Sequence, residues 1–235
     1  MKRLFPALLL MLNISAVSNA ADFLSTEKPS ELLTFGARIG INTSNRTVKA
    51  LSAYGYSSQG WGTGFDLGAV ADINLRDYIS IQPGVFFESR SNTYTFIYAL
   101  PGNDADETHS VQAGTFNSYS LTIPVLANLH FNLTDDLRWN VEAGPYFALN
   151  LGSKIKNKVN LNTSFSEFFP DMTTEFNAKP TAYDFGIKFG TGIELFRRYT
   201  FNVDYLAGMR HAWKNNYIDY GGHTKAWCFT IGYQF

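Results

Sequence analysis

From residue 33 onward, apolar residues alternate with polar or small ones in eight separate stretches. In 33–42, "LTFGARIGIN", Phe35, Ala37, Ile39 and Ile41 share one parity; Thr34, Gly36, Arg38, Gly40 and Asn42 share the other. In 61–74, Trp61, Phe65, Leu67, Ala69, Ala71 and Ile73 oppose Gly64, Asp66, Gly68 and Asp72. In 79–90, Ile79, Ile81, Pro83, Val85 and Phe87 oppose Ser80, Gln82, Gly84, Glu88 and Arg90. In 119–131, Tyr119, Leu121, Ile123, Val125, Ala127, Leu129 and Phe131 oppose Ser120, Thr122, Asn128 and His130. The others are 139–151, 183–195, 199–211 and 225–235, the last closing "CFTIGYQF" on Phe235. A period of two belongs to a strand, whose successive side chains leave opposite faces; a helix would repeat at 3.6. The pattern therefore predicts eight strands and an all-β fold.

A soluble sandwich turns its apolar face inward, whereas a membrane barrel turns it outward to lipid. The second face discriminates. It carries Arg38, Asp66, Asp72, Glu88, Arg90, Glu142, Asp184, Lys188, Glu194, Asp204 and Arg210 among many glycines. That mixture suits a narrow, crowded lumen, where opposite charges satisfy one another. The connections also alternate in length. Gaps 43–60, 91–118, 152–182 and 212–224 are long; 75–78, 132–138 and 196–198 are short. Membrane barrels have short periplasmic turns and long outer loops, which places both termini in the periplasm. On the outward parity, Trp139, Tyr199 and Tyr233 fall at the periplasmic strand ends, and Trp61, Tyr119, Tyr183, Trp213 and Trp227 at the outer ends. These are two interfacial aromatic girdles. The expected architecture is an eight-stranded antiparallel up-and-down transmembrane β-barrel over 33–235, closed by pairing the last strand with the first. Pro83, Pro124 and Pro145 lie inside proposed strands, so at least one strand is expected to break or bend there.

Lys2 and Arg3 precede an apolar run from Leu4 to Leu12, and Ser18-Asn19-Ala20 offers small residues for cleavage. Residues 1–20 thus read as a secretory signal peptide, followed by a mostly polar periplasmic segment, 21–32. Without the two basic residues of that signal, the chain's net charge of −1 becomes −3, too weak to suggest nucleic acid as a partner. The single cysteine, Cys228, excludes an internal disulfide, and no histidine pair has metal-ligand spacing.

Several stretches resemble the Bacteroidetes-type outer-membrane β-barrel proteins, the porin or PorT-like family. They are "FGARIGIN" (35–42), "SIQPGVFFES" (80–89), "LTIPVLANLHF" (121–131), "VEAGPYFALNL" (141–151), "YDFGIKFGTGIEL" (183–195), "VDYLAGMRHAWKNN" (203–216) and "IGYQF" (231–235). The resemblance implies a barrel of OmpX or OmpA size in the Gram-negative outer membrane, with no catalytic residue and no cofactor. Tyr233 and terminal Phe235 resemble the C-terminal signal read by the outer-membrane barrel assembly machinery. The expected partners are outer-membrane lipid, that machinery, and an extracellular ligand or envelope protein.

An eight-stranded barrel is just wide enough for side chains to fill it. Phe86, Leu126, Tyr146 and Leu206 lie among the lumen charges, so a filled lumen and a scaffold for long loops is the leading reading. A narrow channel for small solutes or ions is the alternative, with seven acids against four bases mildly favouring cations. An accessory role in secretion or envelope assembly rests on the family likeness alone. "YTFIYAL" (94–100) fits a protruding hairpin as well as a ligand surface, and acidic "NDADE" (103–107) reads as a solvated loop tip without EF-hand spacing. "FSEFFPDM" (165–172) is an apolar and acidic cluster in the third long gap. A lipid A-modifying enzyme would need a serine and an acid converging on a histidine such as His211; no serine lies within a few residues, and Asp219 is in the adjoining loop. His130 reads as satisfying a lumen carboxylate. The chain is read as not an enzyme.

Overall fold

The computed structural model describes residues 23–46, 55–99, 109–157, 179–211, 213–214 and 222–235. The proposed signal at 1–20, the acidic tip 103–107, the cluster 165–172 and Asp219 lie outside them. The strands are β1 Leu33–Arg46, β2 Gly55–Arg76, β3 Ile79–Ala99, β4 His109–Asn132, β5 Leu137–Asn157, β6 Lys179–Pro180, β7 Tyr183–Leu195, β8 Tyr199–Gly208, β9 Trp213–Lys214 and β10 Thr224–Gln234. Eight of them close into an antiparallel barrel in the order β1-β10-β8-β7-β5-β4-β3-β2, while β6 and β9 pair separately.

The seam is the β1–β10 ladder, which runs from Gly36 opposite Gln234 to Arg46 opposite Thr224. The Phe235 amide donates to the Phe35 carbonyl at 2.8 Å, so the ladder's hydrogen bonding runs to the last residue. Closure leaves no sheet edge to face lipid.

Four strands outgrow the alternation. β2, β3, β4 and β5 reach well into the expected long gaps, and "TYTFIYA" (93–99) pairs with 109–115 of β4 on one side and, through 93–98, with 55–60 of β2 on the other, so the wall itself extends there. The prolines break no strand. Register continues past them, although the ladder omits Gly84–Pro124 and Val85–Ile123, and likewise Val125–Pro145 and Leu126–Gly144. Bulges occur elsewhere, at Trp61/Phe65, Asn74/Arg76 and Tyr119/Ser120. A missing donor costs one ladder bond at a time, and paired neighbours on both sides hold the strand straight through.

One end of the barrel carries the short turns, residues 23–32 and Phe235, and is the turn end; the other is the loop end. Residues 23–32 dock across the turn end. Asp77 and Asn74 donate their amides to the carbonyls of Glu27 and Leu32, and Phe23 stacks on Phe131 at 5.1 Å. The β7–β8 turn uses Phe196 and Arg197, both at φ 53°, with the Arg198 amide closing onto the Leu195 carbonyl at 3.0 Å. Two-residue hairpin turns favour this left-handed geometry, yet it is costly for residues with a Cβ. The Phe196 amide donates to the Asp136 carbonyl at 2.7 Å, and Arg197 pairs with Asp77 at 3.2 Å; both hold the turn in place. Phe196→Asn keeps these contacts and relieves part of the strain. It is expected to raise unfolding stability by about 1 kcal/mol, read by urea titration in lipid vesicles. A fall in stability would show instead that the exposed ring contributes more than its backbone costs.

Candidate functional site: the barrel lumen

The alternation sorts the barrel into two faces. Phe35, Ile39, Ile41, Leu67, Phe185, Phe189, Phe201 and Ile231 are exposed on the outside. Around them run two sets of rings. At the turn end, Phe131 stacks on Trp139 at 5.1 Å, and Tyr233 meets Tyr199 at 5.3 Å and Phe235 at 5.4 Å. At the loop end, Tyr119 stacks on Phe87, Tyr183 on Phe147, and Trp227 packs against Tyr205 at 4.8 Å. Trp61 is also exposed there; the Trp213 side chain lies outside the described residues.

Inside, nine of the sequence-selected charges are buried: Arg38, Asp66, Asp72, Glu88, Arg90, Glu142, Lys188, Glu194 and Asp204. They assemble in tiers. Near the turn end, Arg138 bridges Glu194 at 3.4 Å and Asp77 at 3.6 Å, and Ser80 and His130 Nε2 share a hydrogen bond of 3.0 Å. Above them, Asp72 accepts from Gln82 at 2.6 Å and from Gln234 at 3.1 Å. In the middle, Arg38 pairs with Glu142 at 3.6 Å and Lys188 with Asp204 at 3.0 Å, while Asn202 donates to Glu142. Gly190 gives the Asp204 carboxylate its room, because a Cβ there would meet both that carboxylate and the Val203 carbonyl. Next, Glu88 binds Arg90 and accepts from Thr122 at 2.6 Å, and Asp66 accepts from Asn42 at 2.7 Å. Phe86, Leu126, Tyr146 and Leu206 fill the gaps between tiers, each at most 3% exposed. Lys188 Nζ sits 5.1 Å from the centre of the Phe86 ring.

Two residues depart from the expected lumen set. Asp184 is half-buried at the loop-end rim, where Tyr146 donates to it at 3.0 Å. Arg210 is not in the lumen. β8 ends at Gly208, so parity no longer governs residue 210, and its guanidinium lies 3.6 Å from the centre of the Tyr183 ring. Conversely, alternation missed Arg46 and Arg138, both buried, because the strands extend beyond its bounds. Arg46 donates to Ser118 at 2.6 Å and lies over the Phe116 ring. Among the described residues the buried charges are thus six acids and five bases. The near-neutral balance removes most of the expected acidic excess.

The turn end holds a cavity of about 230 Å³ lined by Asp77, Arg138, Glu194, Arg197, Phe235 and neighbours. Burial alone would raise the Asp77 carboxyl; the Arg138 and Arg197 guanidiniums outweigh it and hold the group below its ordinary range. Among the described residues, no three His, Cys, Asp or Glu side chains gather to hold a metal ion. His211 is exposed with its ring 5.5 Å from that of His223, and His130 lies on Ser80 rather than on a carboxylate.

Two measurements check this account. Lys188→Met leaves Asp204 buried without its cation and is expected to cost about 3–5 kcal/mol in urea unfolding. Adding Asp204→Leu should recover most of that; no recovery would mean the pair is not what the site depends on. At the turn end the sign is set by the lowered Asp77 carboxyl. Its contribution is present at neutral pH and lost as pH falls through its depressed folded value. Asp77→Asn should therefore cost on the order of 1 kcal/mol at neutral pH, with the difference vanishing in acid.

No curated protein matches the sequence. Solved structures resemble it at low identity. OprG from Pseudomonas aeruginosa is 10% identical, with a TM-score of 0.46, over 90% of this chain and 99% of that one. Neisserial surface protein A is 11% identical, with a TM-score of 0.43, over 87% of this chain and 100% of that one. Ail of Yersinia pestis, solved in complex with the heparin analogue sucrose octasulfate, is 12% identical, with a TM-score of 0.39, over 87% of this chain and 100% of that one. The model of the outer membrane protein beta-barrel domain matches residues 21–213, most of the length, and the chain belongs to that family.

Proposed function

We propose that this chain is a sealed outer-membrane barrel, loop end outward, that serves as a rigid scaffold for the chain segments joining its strands at that end. The observation that carries the reading is the tiered lumen. Four buried ion pairs (Arg38–Glu142, Arg90–Glu88, Arg138–Glu194 and Lys188–Asp204) lie in it between apolar plugs, and Arg38–Glu142 spans it from β1 to β5. Opening a solute path would part Arg38 from Glu142 and leave each charge buried without its counter-ion. The short turns, residues 23–32 and Phe235 share one end, which supports a periplasmic location for that end. The stretches "FGARIGIN" and "YDFGIKFGTGIEL" support placing it with Bacteroidetes-type barrels.

A second reading, a water-threaded path for small ions, is favoured by one observation. Asp66 Oδ2, Glu142 Oε1, Asn202 Oδ1 and Asp204 Oδ1 are buried oxygens with no hydrogen bond from the protein. Buried polar groups of that kind hold water.

Single-channel recording separates the two readings. The protein, purified from outer membranes and inserted in a planar bilayer, is expected to give no steady unitary conductance. A reproducible conductance that changes with Asp204→Asn would overturn the sealed-lumen reading in favour of the ion path.

A further inference from the structure

Above the loop-end rings, the outer wall turns basic along one arc. A bulge makes it so. Tyr119 faces Gly152 and Ser120 faces Asn150, which leaves Leu151 as the extra residue in β5. Beyond it the outward parity of β5 switches. Lys154 faces Asn117, Lys156 faces Thr115, and both lysines are exposed on the same side of the sheet as Tyr119. Without the extra residue, both ammonium groups would be directed at the lumen mouth that already holds buried Arg46 and Arg90. Next along the wall, Arg210 covers the Tyr183 ring. On β10, Lys225 is exposed just above Trp227. The short β6–β9 ladder sets Lys179 opposite Lys214 in register. Among the described residues the one carboxylate on this arc at this end is Asp184, and its oxygens already accept from Tyr146 and the Phe185 amide.

We propose that this arc, over β5, β7, β8 and β10, docks the phosphate groups of the phosphorylated glycolipid of the outer leaflet. The inference rests on the loop-out orientation proposed above. Three features favour a glycolipid over a soluble anion. The cations stand just beyond the interfacial rings, at headgroup height. Apolar Leu149 and Leu151 lie directly beneath them on the same wall, where acyl chains would run. Lysine and arginine stems are long enough to follow phosphates along a surface.

The test is native mass spectrometry of the detergent-purified protein titrated with bis-phosphorylated lipid A, its dephosphorylated form, and phosphatidylglycerol. Bis-phosphorylated lipid A should be retained best. Each cation removed should weaken binding about fivefold, so Lys154→Gln/Lys156→Gln/Lys225→Gln should lose well over tenfold. The corresponding Lys→Arg triple should retain binding, and both variants should keep the parent's heat-dependent gel shift as a check on folding. Equal retention of dephosphorylated lipid A or of phosphatidylglycerol overturns the phosphate-glycolipid assignment, as does an unaffected glutamine triple. Orientation has its own readout. Cys228 is buried and quiet, so Lys156→Cys should react with an impermeant maleimide on intact cells. Labelling only after the outer membrane is permeabilised would overturn the loop-out reading and the leaflet, while leaving the lipid titration to judge the phosphate site.

Discussion

A backbone amide or carbonyl facing hydrocarbon without a partner costs several kcal/mol, and in an apolar medium no water can replace the partner. The architecture follows from that constraint. A sheet in lipid must close, and here it closes where β10 meets β1, with the terminal Phe235 amide still bonded to Phe35. Closure then assigns every side chain to lipid or lumen by parity. The aromatic and branched residues of one parity meet lipid, and between the two sets of rings the charged residues are driven inside. Even the prolines obey the constraint: each costs local ladder pairs, and the unshifted register on both sides keeps the wall continuous.

Driving the charges inside creates the second problem, a polar core too narrow for bulk water. Opposite charges on different strands resolve it by meeting. Lys188 of β7 reaches Asp204 of β8, and Arg38 of β1 spans the lumen to Glu142 of β5. Such pairs add little net stability against apolar substitutes, yet breaking one is costly. They therefore act as register pins: slipping a strand by one residue would expel half of each pair into lipid. Apolar Phe86, Leu126 and Leu206 fill the space the pairs leave.

The sequence made much of this legible because its code is binary. Arg38, Glu88, Glu142 and Asp204 were identifiable as interior from parity alone, and the rings of Trp139, Tyr199 and Trp227 from their positions at strand ends. Parity fails where strands stop or stutter. Arg210 follows the end of β8, so its even number carries no information. Lys154 and Lys156 follow the Leu151 bulge, which inverts the rule, and nothing in "LNLGSKIKN" marks the extra residue. Arg46 and Arg138 lie in stretches where alternation fades although hydrogen bonding continues. Partners were illegible throughout, since a pair such as Arg38–Glu142 depends on which strands face across a closed lumen.

The closed, registered barrel is the claim on which the scaffold role, the ion-pair tiers and the basic arc all depend. Nuclear Overhauser contacts across the closing seam test it most directly, in protein held in detergent micelles. The account predicts backbone proton contacts between Ile39 and Ile231 and between Ile41 and Phe229, with slowly exchanging amides along β1. Contacts displaced by two residues, or freely exchanging β1 amides, would contradict it.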